Sequence, residues 1–515
     1  MERLTTSQRT LQKIGLGSGP LAFLVIMLLP TLADLEPAGQ RMLAVAAWMA
    51  LWWLTEAIPI AVTALLPLVL YPVLQIATSK STASTYGDHL IFLFLGGFFI
   101  AIAIEHVNLH RRIALNIIRI MGTSPSRLIL GFMIGTAFLS MWISNTASTM
   151  MMLPIAMALT KRLTEDLEPY PARRVTDTFG LILMLGIAWS ASIGGVGTLI
   201  GTPPNLVFAG FVKKLFPNAP EITFARWLEF GLPLVVIFLP LAWLYLTRIV
   251  PKIPLRVLFQ DIRTGPEVIR EERERLGRVT AAERRTLAIF LLAALSWIFR
   301  SPIHIGVLTI PGLTMLVPGI TDATVAMFYG ILLFLIPRGG KREGKLLPWK
   351  KAVSDVPWGI ILLFGGGFAL AFGMENTGLT TWIGSHIKGL TSLPLWATAL
   401  IIGFTLMFVT EVTSNTATVT MLLPVVAATA IALGQNPLFF MVIATVSASF
   451  AFMFPVATPP NAIVFASGWV RIPQMARFGF YLNVFGVVLV TGMMYLIGLG
   501  IFGIDLNALP SWAVP

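Results

Sequence analysis

The sequence has no cysteine, only five histidines and few charges: Asp, Glu, Lys and Arg make up 12% of its 515 residues. Without cysteine there is no disulfide and no thiolate metal site. A soluble chain carries about 25% charged residues, so an ordinary water-facing surface is excluded. There is no HExxH and no GxSxG, and the histidines, among them His89, His106 and His110, form no ligand spacing. An intramembrane enzyme would need such a metal set or a nucleophile–base pair. What is present is apolar: 56% of residues are hydrophobic and the mean hydropathy is +0.83. Nearly uncharged windows of roughly 16 to 25 residues recur, the length that crosses ~30 Å of hydrocarbon. The composition predicts an all-α polytopic protein of the lipid bilayer.

The net charge of +12 would suit nucleic acid, but the Lys and Arg residues fall between the apolar windows. They orient the chain in the membrane and point to no nucleic-acid partner. Residues 1–40 hold a basic N-terminal segment (Arg3, Arg9, Lys13) and a first span from Leu16 to Ala33, read as uncleaved with a cytoplasmic N-terminus. Spans follow at about 41–58, 60–76 and 89–106. Arg111, Arg112, Arg119 and Arg127 precede the apolar region 128–160, and Lys161, Arg162, Arg173 and Arg174 follow it. Basic loops on both sides put both ends in the cytoplasm and make 128–160 a re-entrant hairpin. The run 177–213 is broken by Gly201-Thr202-Pro203-Pro204-Asn205, where prolines withhold backbone donors and helix must unwind. A span at 227–250 completes a first repeat, 41–250. Residues 251–285 are dense in charge and read as a solvated amphipathic linker helix joining the two halves.

The second repeat, 286–505, follows the same plan: spans at 286–299, 322–337 and 357–374, a hairpin at 394–432, a broken run at 437–470 and a last span at 479–503. Arg338, Lys341, Arg342 and Lys345 mark the cytoplasm. Only Lys388 lies near the second hairpin, so it enters from outside. Arg471 and Arg477 return the chain to the cytoplasm, and the tail 506–515 is external. Lys213 and Lys214 are an exception, basic but outside. The result is about eleven spans and two re-entrant hairpins in an inverted repeat, with two unwound helices, an architecture of secondary transporters. A channel needs neither paired hairpins nor interrupted helices.

Ser144-Asn145-Thr146 recurs 270 residues on as Ser414-Asn415-Thr416, and Gly96-Gly97-Phe98 recurs at the same offset as Gly366-Gly367-Phe368. Each triplet begins ten residues before the proline of a Leu-Pro pair. Each is followed by a broken helix, with Thr202 58 residues after Ser144 and Thr458 44 after Ser414. Polar triplets at membrane depth are tolerated only where they are buried in protein or line a cavity. Hydroxyls and amides therefore converge from both triplets, Thr202 and Thr458. Helix N-termini after each triplet favour anions, and unwound carbonyls suit a small hard cation. No Lys or Arg lies in these segments, so a divalent anion held there needs a countercharge. Bound cations supply it, although the same residues also suit a neutral polar solute. Glu411, beside the second triplet, reads first as a carboxylate on the hairpin exterior or a helix cap, and second as added charge.

The paired Ser-Asn-Thr triplets, with Gly201-Thr202-Pro203-Pro204-Asn205 and Ala457-Thr458-Pro459-Pro460-Asn461, resemble the divalent anion:sodium symporter family, the bacterial INDY-type dicarboxylate transporters. The match covers about residues 40–505. The resemblance implies a homodimer in the bacterial inner (plasma) membrane whose transport domain moves against a scaffold, as an elevator. It implies two or more Na⁺ sites, one using Ser140, Ser144, Asn145 and Gly201, the other Thr410, Thr413, Asn415 and Ala457. It places the dicarboxylate at Ser144, Asn145, Thr202, Ser414, Asn415, Thr416, Thr458 and Pro459. The expected activity is Na⁺-coupled uptake of succinate, malate or fumarate. Na⁺-independent dicarboxylate exchange and transport of citrate or sulfate are the alternatives.

Overall fold

The computed structural model describes residues 6–513 except 31, 33, 123, 166–171, 252–263, 306–307, 340–343 and 387–392. Arg3, Lys341, Arg342, Lys388, part of the charged linker and the end of the external tail lie outside the described residues. Helices dominate. Among the described residues, seven are long and apolar enough to cross a membrane alone, and five apolar helices are shorter. A two-stranded ladder, Ile303–Ile305 with Leu308–Ile310, lies in the Pro/Gly-containing stretch before Asp322.

The first helix, Thr6–Leu28, packs along Pro37–Thr55, with Gly15 and Gly19 facing Thr55, Trp48 and Trp52. The expected span at 60–76 is two short helices, Ile60–Thr63 and Leu66–Val73. His89–His106 crosses Asp322–Leu335 at Gly96, where an added Cβ would lie 2.4 Å from the Ala326 carbonyl carbon. Trp358–Asn376 crosses the short helix pair at Gly366, 2.3 Å by the same measure from the Ala64 carbonyl oxygen. The repeated Gly-Gly-Phe therefore marks equivalent close helix crossings, where any side chain would force the backbones apart.

Two features were not foreseen. The basic segment after His106 is an amphipathic helix, Leu109–Met121, and its counterpart is Leu379–His386. Each follows a residue in the left-handed region, Asn108 at φ 62° and Gly378 at φ 67°, a conformation that Gly and Asn adopt most readily. The Arg residues there are thus helical, their helix burying Leu115 and Ile118. The charged linker is also not simply solvated. Its helix Thr264–Leu276 buries Val268 and Ile269 and packs on Leu109–Met121 and on the first hairpin. Glu271 takes a bidentate pair from Arg162 at 3.0 and 2.8 Å, and Glu272 pairs with Arg111 at 3.4 Å. Lys214, the basic exception, sits 2.8 Å from Asp88.

The hairpins are Pro125–Ser140 with Asn145–Glu165, and Leu395–Thr410 with Asn415–Ala432. The broken helices are Ala172–Gly195 with Pro203–Leu215, and Pro437–Ala448 with Pro459–Ala466. The span after each break, Phe224–Leu244 or Ile472–Met493, ends in a π turn. Packing is reciprocal. Pro203–Leu215 lies on the second arm of the second hairpin, and Pro459–Ala466 lies on the second arm of the first. Each break's downstream half-helix is thereby brought to the opposite hairpin.

Candidate functional site

At the first tip, Met141–Ser144 forms the turn and Asn145 opens the second arm. Ser144 Oγ accepts from the Ala147 N–H at 3.2 Å, as an N-capping serine does. Ser140 Oγ is 2.5 Å from Asn145 Oδ1 and 2.7 Å from the Ala191 carbonyl. Its one proton is shared between the two acceptors, so three oxygens lie together. Gly195 and Gly201 close this cluster. A Cβ on Gly195 would lie 2.6 Å from Asn145 Oδ1, and one on Gly201 would lie 2.4 Å from the Gly195 carbonyl and 3.1 Å from that of Ser140. Ser140, Asn145 and Gly201 therefore meet, as expected. The Ser144 hydroxyl, engaged as a cap, is not drawn to them.

The second tip repeats the core contact: Thr410 Oγ1 donates to Asn415 Oδ1 at 2.6 Å. Thr413 is not gathered there. Its hydroxyl donates to the Val409 carbonyl at 2.8 Å and lies 2.6 Å from Thr418 Oγ1. Ser414 occupies the N-cap position without a side-chain capping bond, so its hydroxyl is not spent on the helix. Thr416 is buried in the first turn. The N–H groups opening each second arm lack helical partners, which is the arrangement that favours a carboxylate.

Glu411 faces neither the exterior nor a helix start. It is 2% exposed. Its Oε1 accepts from Phe452 N–H at 2.8 Å, Met453 N–H at 3.0 Å and Asn483 Nδ2 at 2.5 Å. Its Oε2 accepts from the Met453 and Phe454 N–H groups, both at 3.2 Å. The carboxylate thus binds three consecutive amides of the second break, and every donor is neutral.

The breaks share a device that sequence reading passed over. The last residue of each Thr-Pro-Pro-Asn turns its amide back into the break. Asn205 Nδ2 donates to the carbonyls of Gly195 at 3.2 Å and Thr198 at 2.7 Å; Asn461 Nδ2 donates to those of Ala451 at 2.9 Å and Phe454 at 3.0 Å. The carbonyls lie ten and seven residues before the asparagine in both. Some of the unwound carbonyls expected to be free are therefore satisfied. The signal was in the sequence, as a second amide beside Pro-Pro in both repeats. The prolines occupy the first helical positions, where a missing N–H costs little. Thr202 and Thr458 are the matching N-caps, at φ −143° with ψ 143° and 148°. Thr458 Oγ1 caps the Asn461 N–H at 3.3 Å, while Thr202 makes no capping bond.

Through the reciprocal packing, the arm that opens at the first triplet lies on the helix that opens at Thr458-Pro459, and the arm that opens at the second lies on the helix that opens at Thr202-Pro203. Among the described residues, no Lys or Arg hydrogen-bonds to these segments. A cavity of about 400 Å³ runs beside the first hairpin's second arm, lined by Ala147, Met150, Met151, Pro154, Glu105, His110 and Arg111. Burial pushes the His110 imidazole down to about 4, so it is neutral at pH 7. The cavity reaches to within three residues of Ser144 from the face bearing the amphipathic helix. Polar oxygens and helix N-termini thus gather at the tips and breaks, and the nearest basic side chain lining the adjoining cavity is Arg111.

Residues 18–502 match the family model for the sodium:sulfate symporter transmembrane region. The chain is 42% identical over 497 residues to the sodium-dependent dicarboxylate transporter SdcS of Staphylococcus saprophyticus, covering 96% of this chain and 93% of that protein. It is 41% identical, over the same shares, to SdcS of Staphylococcus aureus strain MRSA252. Two solved transporters share the fold at 12% identity. Neisseria gonorrhoeae MtrF has a TM-score of 0.53 over 82% of this chain and 84% of its own. Alcanivorax borkumensis YdaH has a TM-score of 0.52 over 81% and 88%. Matched along nearly its whole length, the chain belongs to the sodium:sulfate symporter family, the divalent anion:sodium symporters that its paired triplets resemble.

Proposed function

We propose that this protein is a secondary active transporter of the plasma membrane that takes up a C4-dicarboxylate such as succinate, malate or fumarate together with Na⁺. The observation that carries the reading is the repeated hydroxyl–amide oxygen contact, Ser140–Asn145 and Thr410–Asn415, in segments free of Lys and Arg. A dianion buried without countercharge is costly, and Na⁺ held by hydroxyl, amide and carbonyl oxygens offsets it. Relatives named as sodium-dependent dicarboxylate transporters support the same cargo.

In this reading Asn145 and Asn415 are shared. Their Oδ1 atoms belong to the cation clusters, and their amides open the helices whose N–H groups meet the carboxylates. Ser140 and Gly201 complete the first cation site; Thr410 and Ala457 complete the second. Ser414, Thr416, Thr202, Thr458 and Pro459 face the anion, with Ser144 joining through its backbone. Thr413 takes part through its carbonyl, since its hydroxyl is committed within the hairpin. The reciprocal packing of hairpins and half-helices supports their moving together as one body, an elevator, in each protomer of a homodimer. The first hairpin opens to the cytoplasm and the second to the outside, with a cytoplasmic N-terminus and an external C-terminus.

The test is uptake into proteoliposomes of a panel of dicarboxylates, citrate and sulfate, with and without an inward Na⁺ gradient. Succinate uptake driven by Na⁺ is expected. Succinate uptake indifferent to Na⁺ would overturn the coupling and indicate exchange, and preference for sulfate or citrate would overturn the substrate.

A further inference from the structure

We infer that Glu411 is the positioning residue for cation binding in the second half: it sets the distance between the tip and the break that share the site, and it places a fixed negative charge beside them. The inference rests on the proposed Na⁺ coupling and goes beyond it by naming what makes the second site.

The candidate ligands there come from two separate pieces of chain. Thr410 and Asn415 belong to the hairpin tip, and Ala457 belongs to the break. Among the described residues, the hydrogen bonds joining these pieces all end on the Glu411 carboxylate, which accepts the N–H groups of Phe452, Met453 and Phe454. Glu411 directly follows Thr410, whose hydroxyl holds Asn415. Tip geometry and break geometry therefore pass through one side chain.

The last span fixes that side chain from behind. Asn483 Nδ2 donates to Glu411 Oε1, and Asn483 Oδ1 accepts from Phe452 N–H at 3.2 Å. One turn earlier, Gly479 lets the span lie against the break. A Cβ there would fall 2.2 Å from the Phe452 carbonyl and 2.9 Å from Met453 Cα. The carboxylate is held at both oxygens and, among the described residues, has no basic partner. Its four donors are neutral, so its charge is not cancelled locally. A cation bound at Thr410–Asn415, beside Glu411 in the chain, would balance it. Met141, which precedes the first triplet as Glu411 precedes the second, has no charge to offer.

The experiment uses the full-length protein. Two quantities are read across a Na⁺ series: initial succinate uptake in proteoliposomes, and the Na⁺-induced rise in melting temperature of detergent-solubilised protein without substrate. For Glu411→Gln, the Na⁺ concentration for half-maximal uptake should rise about tenfold or more, the substrate KM at saturating Na⁺ should stay within about twofold, and the Na⁺-induced stabilisation should move to the same higher range. Asn483→Ala keeps the carboxylate and loosens its seat, so a shift of about threefold in the same direction is expected. It also serves as the test should Glu411→Gln fail to fold. Wild-type Na⁺ curves in a folded Glu411→Gln, or in Asn483→Ala where Glu411→Gln does not fold, overturn the inference. So does a loss of uptake that is equal at every Na⁺ concentration, which is the mark of a merely structural carboxylate. Wild-type protein without Na⁺ stimulation would instead end the coupling reading itself.

Discussion

At the first break, Val196 N–H donates to the Ile193 carbonyl at 3.3 Å and Gly197 N–H to that of Gly194 at 2.8 Å, so local turns satisfy the unwound amides. At the second, the equivalent amides of Phe452 and Met453 find no local carbonyl and use a carboxylate from the hairpin. The Asn of Thr-Pro-Pro-Asn does the same work in both, so the difference lies elsewhere. The first break has Gly195 and Gly201 where the second has Ala451 and Ala457. A methyl on residue 201 would meet the Gly195 carbonyl at 2.4 Å; with alanine at the matching place the peptide must open. Opening exposes amides that need an acceptor, and a buried one left unpaired costs about 1–3 kcal/mol. Two repeats of one sequence pattern thus solve the same backbone problem differently. One is closed by glycine, the other braced by charge.

The largest effect that would sharpen this comparison is loss of either shared asparagine. Asn145→Ala and Asn415→Ala should each bring uptake to background while the purified proteins still melt cooperatively. Full transport in one of them would show that the halves are not equally needed.

Next comes the steric contrast. Gly195→Ala presses a methyl 2.6 Å from Asn145 Oδ1, and overpacking of this kind costs about 1–3 kcal/mol. Its melting temperature should drop and its uptake fall sharply. Ala451→Gly should cost only about 0.5–1 kcal/mol through chain entropy. Equal losses in the two variants would break the distinction between a tight and an open break.

A smaller effect is expected at the first half's own tie between tip and break. Thr198 Oγ1 donates to the Met141 carbonyl at 2.5 Å. Thr198→Val should lower stability by about 1 kcal/mol and leave the Na⁺ dependence of uptake in place, because glycine contacts still close the cluster. A Na⁺ shift as large as that of Glu411→Gln would make the two ties equivalent.

The smallest effect concerns the linker. Arg162 and Glu271 are each about 40% exposed, and such pairs contribute about 0–1 kcal/mol. Glu271→Gln should change the melting temperature by a degree or two at most, and less at high salt.

Much of this was legible in one dimension. Apolar windows located the helices at His89–His106, Asp322–Leu335 and Trp358–Asn376 to within two residues, but the first helix begins at Thr6 rather than Leu16 and the last at Ile472 rather than 479; the offset of 270 located both triplets and the Gly-Gly-Phe crossings. The amphipathic helix at 109–121 was missed because its Arg residues read as a charged loop, although Leu109, Leu115 and Ile118 carry the buried stripe. The outward-facing reading of Glu411 fails because its partners lie more than forty residues away, out of reach of any local pattern.

The sequence by itself determined that the chain lives in a bilayer, that it is built twice, and that its polar residues sit where only a site or a kink tolerates them. Those conclusions follow from hydropathy, charge placement and repetition, which are properties of the chain read along its length. Tertiary structure decided which oxygens meet: Ser140 with Asn145 and Ala191, Thr410 with Asn415, and Glu411 with three amides of a distant break. It also decided that each half-helix serves the opposite hairpin. The reason is physical. A buried donor or acceptor needs a partner, but sequence leaves open which of many segments supplies it until packing brings one within 3 Å.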